Sequence, residues 1–207
     1  MTNHDQSVVH IVDDDEAVRD SISMLLDTVA IAHRLYGSAV EFLDAYGAGT
    51  RGCLVLDIRM PEMTGLELQE ELNRRGIGLP IIFITGHGDI PMAVEAMRRG
   101  ALDFIRKPFA EDDLLDRIKE ALARDAEAQV ERTALEDLKQ RYATLSPREL
   151  EVFARVADGQ ANKVVAIELG ISERTVEIHR AQVMQKMGAR SLAQLVRMKI
   201  DLERAAK

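Results

Sequence analysis

The sequence predicts an α/β domain with a doubly wound five-stranded parallel sheet, joined by a helical linker to a small all-α domain. In the first ~120 residues short apolar runs alternate with amphipathic helical patterns, and no strand signal follows residue 125. Aromatic residues make up only 4% of the chain, so the cores must be aliphatic, which favours helices and parallel strands over a β-sandwich. We expect domains at 1–124 and 144–207, with the linker at 125–143.

Each strand is predicted from an apolar run that ends at a polar residue. These runs occupy 8–12, 31–36, 53–56, 80–84 and 102–105. Helices are expected where apolar residues recur every three or four positions, at 17–29, 38–46, 64–75, 91–99 and from 110 onward. Because strands and helices alternate with short connections, the strands should be parallel, with helices on both faces of the sheet.

Several classes of protein are excluded by simple features of the 207-residue chain. Cys53 is the only cysteine, so no intramolecular disulfide can form. No apolar run approaches the length of a transmembrane helix, and the polar N-terminus lacks the pattern of a secretory signal. A cytoplasmic protein that does not enter the membrane is the expectation.

The linker carries Leu135, Leu138, Tyr142 and Leu145 at 3-4-3 spacing within a charged, alanine-rich helical pattern. Two interpretations stay open, a solvated helix or a short coiled-coil seam between two chains. After the linker, Ser146 is followed by proline and then by glutamate at the third helical position, which is a capping box. Helices are predicted at 147–157, 161–169, 173–187 and 191–203, with glycines between them.

Charged and hydroxyl side chains follow four of the predicted strands. Asp13 and Asp14 follow the first strand, Asp57 the third, Thr85 the fourth and Lys107 the fifth. Because the carboxyl ends of parallel strands share one edge of the sheet, these residues should converge. Converging carboxylates repel each other and suit a divalent cation, of which Mg²⁺ is the best match to oxygen ligands. Asp57 could then attack phosphorus to form an acyl phosphate, with Lys107 and the cation neutralising phosphoryl oxygens and Thr85 donating a hydrogen bond.

The motifs at these strand ends resemble those of a response-regulator receiver domain. They are Val-Asp-Asp at 12–14, Leu-Asp-Ile-Arg-Met-Pro at 56–61, Gly65, Thr-Gly-His-Gly at 85–88 and Lys-Pro-Phe at 107–109. The resemblance covers residues 8 to about 122, and the run 86–97 is most similar to the FixJ-type subgroup.

The resemblance implies a role for each site residue. Asp57 would be the phosphoacceptor, and Thr85 and Lys107 would bind the phosphoryl group. The Mg²⁺ ligands, with Mn²⁺ able to substitute, would be Asp13, Asp14, Asp57 and the backbone carbonyl of Arg59.

Further family features fall on neighbouring positions. Phe104 occupies the position of a switch aromatic that changes rotamer as Thr85 moves, although an ordinary core aromatic is an equal alternative. Arg59 and His87 lie at positions that tune hydrolysis of the acyl phosphate, and the 107–108 peptide bond is expected to be cis.

A net charge of −8 is unfavourable for binding DNA, but the charge is unevenly distributed along the chain. Residues 1–124 hold 22 acidic and 13 basic residues, and the linker holds 5 and 3. Residues 144–207 hold 8 acidic and 11 basic residues, so the C-terminal domain is mildly basic, as a DNA-binding domain can be.

Within this domain, 162–187 has the pattern of a helix–turn–helix. Val176, Val183 and Met187 should face the core, and the opposite face of the second helix should face the major groove. Three motifs resemble those of the LuxR/FixJ-type DNA-binding domain: Leu-Ser-Pro-Arg-Glu at 145–149, Asn-Lys at 162–163 and the run at 171–180. The expected DNA-binding residues are Asn162, Lys163, Arg174, Thr175, Glu177, Ile178, Ala181, Gln185 and Lys186. Some relatives carry lysine at positions 177 and 181, so lysine contacts there do not transfer to this chain.

These features together indicate a two-component response regulator and transcription factor rather than an enzyme. A sensor histidine kinase would phosphorylate Asp57, and the receiver would then dimerise through its fourth helix and fifth strand and bind promoter DNA, with RNA polymerase as a further partner. Two alternatives remain. One is a phosphatase using the Asp13 and Asp15 pair, and the other is a regulator whose helical domain binds protein.

Overall fold

The computed structural model describes residues 7–47, 49–86 and 90–205. The described strands form one parallel sheet in the order β2-β1-β3-β4-β5. They are β1 Val8–Val12, β2 His33–Tyr36, β3 Gly52–Asp57, β4 Ile81–Thr85 and β5 Asp103–Arg106. The reversal of strand order between β1 and β3 makes this sheet doubly wound, which confirms the predicted fold class.

Among the residues that the structure describes, five helices accompany the sheet: α1 Glu16–Thr28, α2 Ala39–Ala45, α3 Gly65–Arg74, α4 Ile90–Arg98 and α5 Glu111–Ala143. The described part of the chain after α5 contains α6 Pro147–Ala157, α7 Asn162–Leu169, α8 Glu173–Met187 and α9 Leu192–Arg204. Asp15 caps α1, and the predicted capping box at Ser146 begins α6. Within the described residues, no helix is both long and apolar enough to cross a bilayer.

The central strands β1, β3 and β4 carry apolar side chains on both faces of the sheet. One face packs against α2, α3 and α4 around Phe42 and Phe83. The other packs against α1 and the first turns of α5 around Ile11 and Ile82. This two-sided burial keeps the strands in register and aligns their carboxyl ends at one edge.

The chain divides into two compact units, 1–129 and 130–207, so the boundary falls inside the 33-residue helix α5. In the first unit, the buried carboxylate of Asp125 on α5 accepts a hydrogen bond from the Gly52 backbone N–H at 2.9 Å. In the second unit, Leu138 and Tyr142 pack against the core formed by α6 to α9, and the Tyr142 and Phe153 rings lie 5.4 Å apart. Leu138 and Tyr142 therefore stabilise their own unit rather than lying on a solvated helix face, and a seam between two chains stays a prediction.

Candidate phosphorylation site and nucleic-acid interface

The carboxyl edge of the sheet brings together two buried carboxylates and one ammonium group. Asp13 follows β1 and is 1% exposed, and Asp57 ends β3 and is 7% exposed. Lys107, just after β5, donates from Nζ to Asp13 Oδ2 and to Asp57 Oδ1, both at 2.7 Å. One cation thus bridges two carboxylates that are 44 positions apart in the sequence.

Backbone amides hold the remaining carboxylate oxygens of this pair. The Arg59 N–H donates to Asp57 Oδ2 at 2.6 Å, and the Asp15 N–H donates to Asp13 Oδ1 at 2.9 Å. Both side chains are therefore fixed in orientation before any phosphoryl donor arrives.

Burial and charge act in opposite directions on these groups. Burial raises the pKa of Asp57, and the nearby Asp13 charge adds to this, while the hydrogen bond from Lys107 partly offsets both effects. For Lys107 burial lowers the pKa, but the hydrogen bonds to the two carboxylates outweigh it and the pKa is raised overall. Lys107 is thus held as a cation beside the candidate nucleophile.

The structure gathers only part of the predicted metal-ligand set. Within the described residues, no three His, Cys, Asp or Glu side chains lie close enough together to hold a metal ion. Asp14 is exposed, whereas Asp13 and Asp57 form a close pair. Mg²⁺ is usually held by one or two carboxylates together with water and phosphate oxygens, so this pair fits the ion and Asp14 is not needed for the fit.

Two residues to which the sequence assigned no role shape the site. Arg19 on α1 donates from Nη1 to the Asp13 carbonyl oxygen at 2.6 Å, which anchors the loop after β1. Gly65 begins α3, and a Cβ there would lie 2.2 Å from the Asp57 carbonyl oxygen. Gly65 could be found from the sequence because it belongs to the receiver-like motifs. Arg19 could not, because nothing in the sequence distinguishes it from other arginines on a helix.

Thr85 and Phe104, the two residues expected to form a switch, lie on the neighbouring strands β4 and β5. Thr85 is buried at the end of β4, and its hydroxyl donates to the Gly86 carbonyl oxygen at 3.1 Å. Phe104 lies on the edge strand β5 and is 40% exposed, so it is not an ordinary core aromatic. The 107–108 peptide bond is cis, as the resemblance implied. His87 lies outside the described residues.

In the second unit, α7 and α8 form the predicted helix–turn–helix. Gly170 ends α7 in the left-handed conformation at φ +65°, and Ser172 caps α8 by accepting from the Thr175 N–H at 3.1 Å. Val176, Val183 and Met187 are buried, which confirms the predicted core face. The opposite face is exposed and consists of Arg174, Glu177, Ile178, Ala181 and Gln185.

Three of the expected DNA-binding side chains already have partners within the protein, and one of them is Thr175, whose hydroxyl lies 2.7 Å from Ser172 Oγ. Asn162 Oδ1 accepts from Arg180 Nη1 at 2.9 Å. Lys186 Nζ donates to Glu149 Oε2 at 2.6 Å and to the Thr144 carbonyl oxygen at 3.2 Å. Lys163 is exposed on α7. The expected phosphate contact of Lys186 therefore competes with an internal salt bridge.

Comparison with known proteins identifies both units. Residues 9–119 match the family model of the response regulator receiver domain, and residues 143–199 match that of bacterial regulatory proteins of the luxR family. The chain belongs to the FixJ-type response regulators of two-component systems. It is 48% identical over 190 residues to the transcriptional regulatory protein FixJ of Azorhizobium caulinodans, covering 92% of this chain and 90% of the relative. It is also 48% identical to Nodulation protein W of Bradyrhizobium diazoefficiens, covering 93% and 85%.

Solved structures support the same assignment for this response regulator. The structure of StyR matches with a TM-score of 0.83 at 44% identity, covering 93% of this chain and 98% of that one. Full-length FixJ from B. japonicum matches with a TM-score of 0.59 at 41% identity, covering 96% and 98%. The response regulator is thus a transcriptional regulator with a DNA-binding domain, as predicted, and not a phosphatase.

Proposed function

We propose that this response regulator accepts a phosphoryl group on Asp57 from a sensor histidine kinase. An Asp57 carboxylate oxygen attacks phosphorus in line, so that an O–P bond forms as the N–P bond to the donor histidine breaks. Lys107 neutralises charge on the phosphoryl oxygens, and Thr85 exchanges its bond to the Gly86 carbonyl for one to phosphate. The observation that supports this most is the Lys107 bridge between the two buried carboxylates, because it assembles nucleophile and countercharge at one point.

The site suits Mg²⁺, which would be held by Asp13 and Asp57, with Asp14 and the Arg59 carbonyl as further expected ligands. When bound, the ion supplies positive charge where the phosphoryl oxygens approach the carboxylates. Mn²⁺ would substitute, because it accepts the same oxygen ligands.

Intact-mass spectrometry after incubation with acetyl phosphate and Mg²⁺ tests the phosphoacceptor. We expect wild type to gain the mass of one phosphoryl group and Asp57→Asn to gain none. Asp44→Asn, an exposed aspartate on α2, is the matched control and should behave as wild type. Normal incorporation into Asp57→Asn would refute the assignment.

The exposed face of α8 supports sequence-specific DNA binding in the major groove. Ile178 is 52% exposed in the middle of this face, where an apolar side chain can contact a thymine methyl group. Glu177 can accept from cytosine N4. Lys163 and Thr175 are the proposed phosphate contacts, and Asn162 and Lys186 contribute only if they leave their internal partners.

Selection of duplexes from a random pool by the phosphorylated chain tests whether DNA binding is sequence-specific. We expect an enriched sequence whose binding weakens as salt rises, because phosphate contacts release counterions. Ile178→Ala should relax the preference at a thymine and cost about 1 kcal/mol of specific binding. The absence of any enriched sequence would overturn specific DNA recognition.

Phosphorylation is further proposed to cause dimerisation through α4 and β5, in the cytoplasm. Apolar side chains are exposed on both elements, with Val94 46% and Met97 38% exposed on α4 and Phe104 40% exposed on β5. Sedimentation of phosphorylated Met97→Glu should show monomers, whereas Met24→Glu, at a methionine on α1 that is 70% exposed, should still dimerise. Equal dimerisation of both variants would exclude this surface. RNA polymerase is proposed as the partner of the DNA-bound dimer.

A further inference from the structure

The C-terminal end of α8 is joined to the last turn of α5 and the residue that follows it by hydrogen bonds in both directions. Arg141 on α5 donates from Nη1 to the Met187 carbonyl oxygen at 3.3 Å. In return, Lys186 on α8 donates from Nζ to the Thr144 carbonyl oxygen at 3.2 Å. All four residues belong to the second compact unit, although Arg141 precedes the DNA-binding domain expected from the sequence.

Arg141 lies against the C-terminal end of α8, where backbone carbonyl groups require hydrogen-bond donors. The last carbonyl groups of a helix lack partners within the helix, and a cation there is favoured by the helix dipole. Gly188 ends α8 at φ +70°, and a Cβ on it would lie 2.8 Å from Arg141 Nη1. Asp137, one turn earlier on α5, accepts from Arg141 Nη2 and orients the guanidinium. The arginine therefore caps α8 from outside that helix.

Lys186 strengthens the same junction through α6. Its salt bridge reaches Glu149, which is buried and also closes the capping box with Ser146. The hydrogen bond from Lys186 is the main reason that the pKa of Glu149 is lowered to about 2. The start of α6, the end of α5 and the end of α8 thus meet at one point.

We propose that Arg141 is a positioning residue that sets the orientation of α8, so that the functional DNA-binding unit begins within α5 rather than at residue 144. The proposal rests on the proposed reading of DNA by α8. Base contacts require a correctly placed helix, whereas attraction to phosphates requires mainly charge. Loss of Arg141 should therefore weaken binding to a specific sequence more than binding to an unrelated one.

The experiment compares full-length phosphorylated wild type with Arg141→Met, Arg141→Lys and Lys139→Met. Lys139 is exposed on the same helix, so its substitution removes an equal charge nearby. The probes are the duplex enriched by wild type and a scrambled duplex of equal length. Binding to each is measured at one salt concentration, with thermal unfolding recorded for every variant.

We expect Arg141→Met to weaken binding to the enriched duplex about five- to tenfold, the effect of losing one hydrogen bond of ordinary strength. Its scrambled-duplex binding should match that of Lys139→Met, and Arg141→Lys should recover much of the specific affinity. A purely structural defect would lower both affinities by the same factor, because it reduces the folded fraction.

An unchanged ratio of the two affinities in Arg141→Met would overturn the positioning role. The positioning role would also be overturned if the ratio of the two affinities fell as far in Lys139→Met as in Arg141→Met. If wild type enriches no duplex, the proposed sequence-specific DNA binding is itself refuted. That result is distinct from a failure of the Arg141 proposal, because it is obtained before any variant is made.

Discussion

Replacing His10 tests how burial in β1 controls stability against acid. The His10 side chain is buried, its Nδ1 lies 3.1 Å from the Tyr36 hydroxyl, and its ring centroid is 5.5 Å from that of Phe42. Burial lowers its pKa from 6.5 to about 4, with a smaller contribution from the Arg34 charge and a hydrogen bond with the Arg51 backbone opposing the shift. The imidazole is therefore neutral in the folded protein at pH 7.

The magnitude follows from the two pKa values. Below pH 6.5 the unfolded chain binds a proton at His10, whereas the folded chain does not do so until about pH 4. Protonation thus favours unfolding, and the stability present above pH 6.5 is lost as the pH falls toward 4. Between pH 7 and pH 5 this linkage removes about 2 kcal/mol of unfolding free energy.

Denaturant unfolding of wild type and His10→Phe at both pH values is the assay, followed by circular dichroism. The variant keeps an aromatic ring but cannot titrate, so other acid-sensitive groups cancel in the comparison. We expect wild type to lose about 2 kcal/mol more than the variant between pH 7 and pH 5. Losses that agree within about 0.5 kcal/mol would show that His10 does not cause this pH dependence.

Three further substitutions have defined outcomes in the first unit. Glu62 adopts φ +65°, so Glu62→Gly should raise the unfolding free energy by about 0.5–1 kcal/mol in denaturant titrations, and Glu62→Ala should not. Gly65→Ala places a Cβ 2.2 Å from the Asp57 carbonyl oxygen and should cost about 1–3 kcal/mol, with slower phosphoryl incorporation by mass spectrometry. Asp125→Ala leaves the Gly52 N–H without its carboxylate and should cost about 2 kcal/mol in the same titrations, more than Asp125→Asn; equal losses would argue against the hydrogen bond.

The sheet and the residues at its carboxyl edge were predictable because both depend on local sequence patterns. Two-sided apolar runs identify parallel strands, and parallel strands necessarily end at a common edge. Asp13, Asp57 and Lys107 therefore converge as expected. Helix α8 also begins and ends where the serine cap and the glycine predicted.

Contacts between distant segments were not predictable from those patterns. Asp125 lies in a charged segment that was expected to be exposed to solvent. It is buried instead, because its carboxylate accepts a hydrogen bond from the Gly52 N–H at the start of β3. Lys186 was expected to contact DNA phosphates. Its salt bridge to Glu149 could not be predicted, because Glu149 is 37 positions away in the sequence. The exposure of Phe104 depends on β5 being the edge strand, and strand order is not encoded in the strand itself.

Phosphorylation of Asp57 is proposed to control DNA binding by the second unit. The most direct test of this control is the affinity for the enriched duplex with and without acetyl phosphate, measured for wild type and Asp57→Asn at fixed salt. We expect acetyl phosphate to tighten wild-type binding by about tenfold or more, because dimerisation joins two half-sites, and to leave the affinity of Asp57→Asn unchanged. Equal affinities for wild type in both states, or an equal gain in Asp57→Asn, would contradict this proposal.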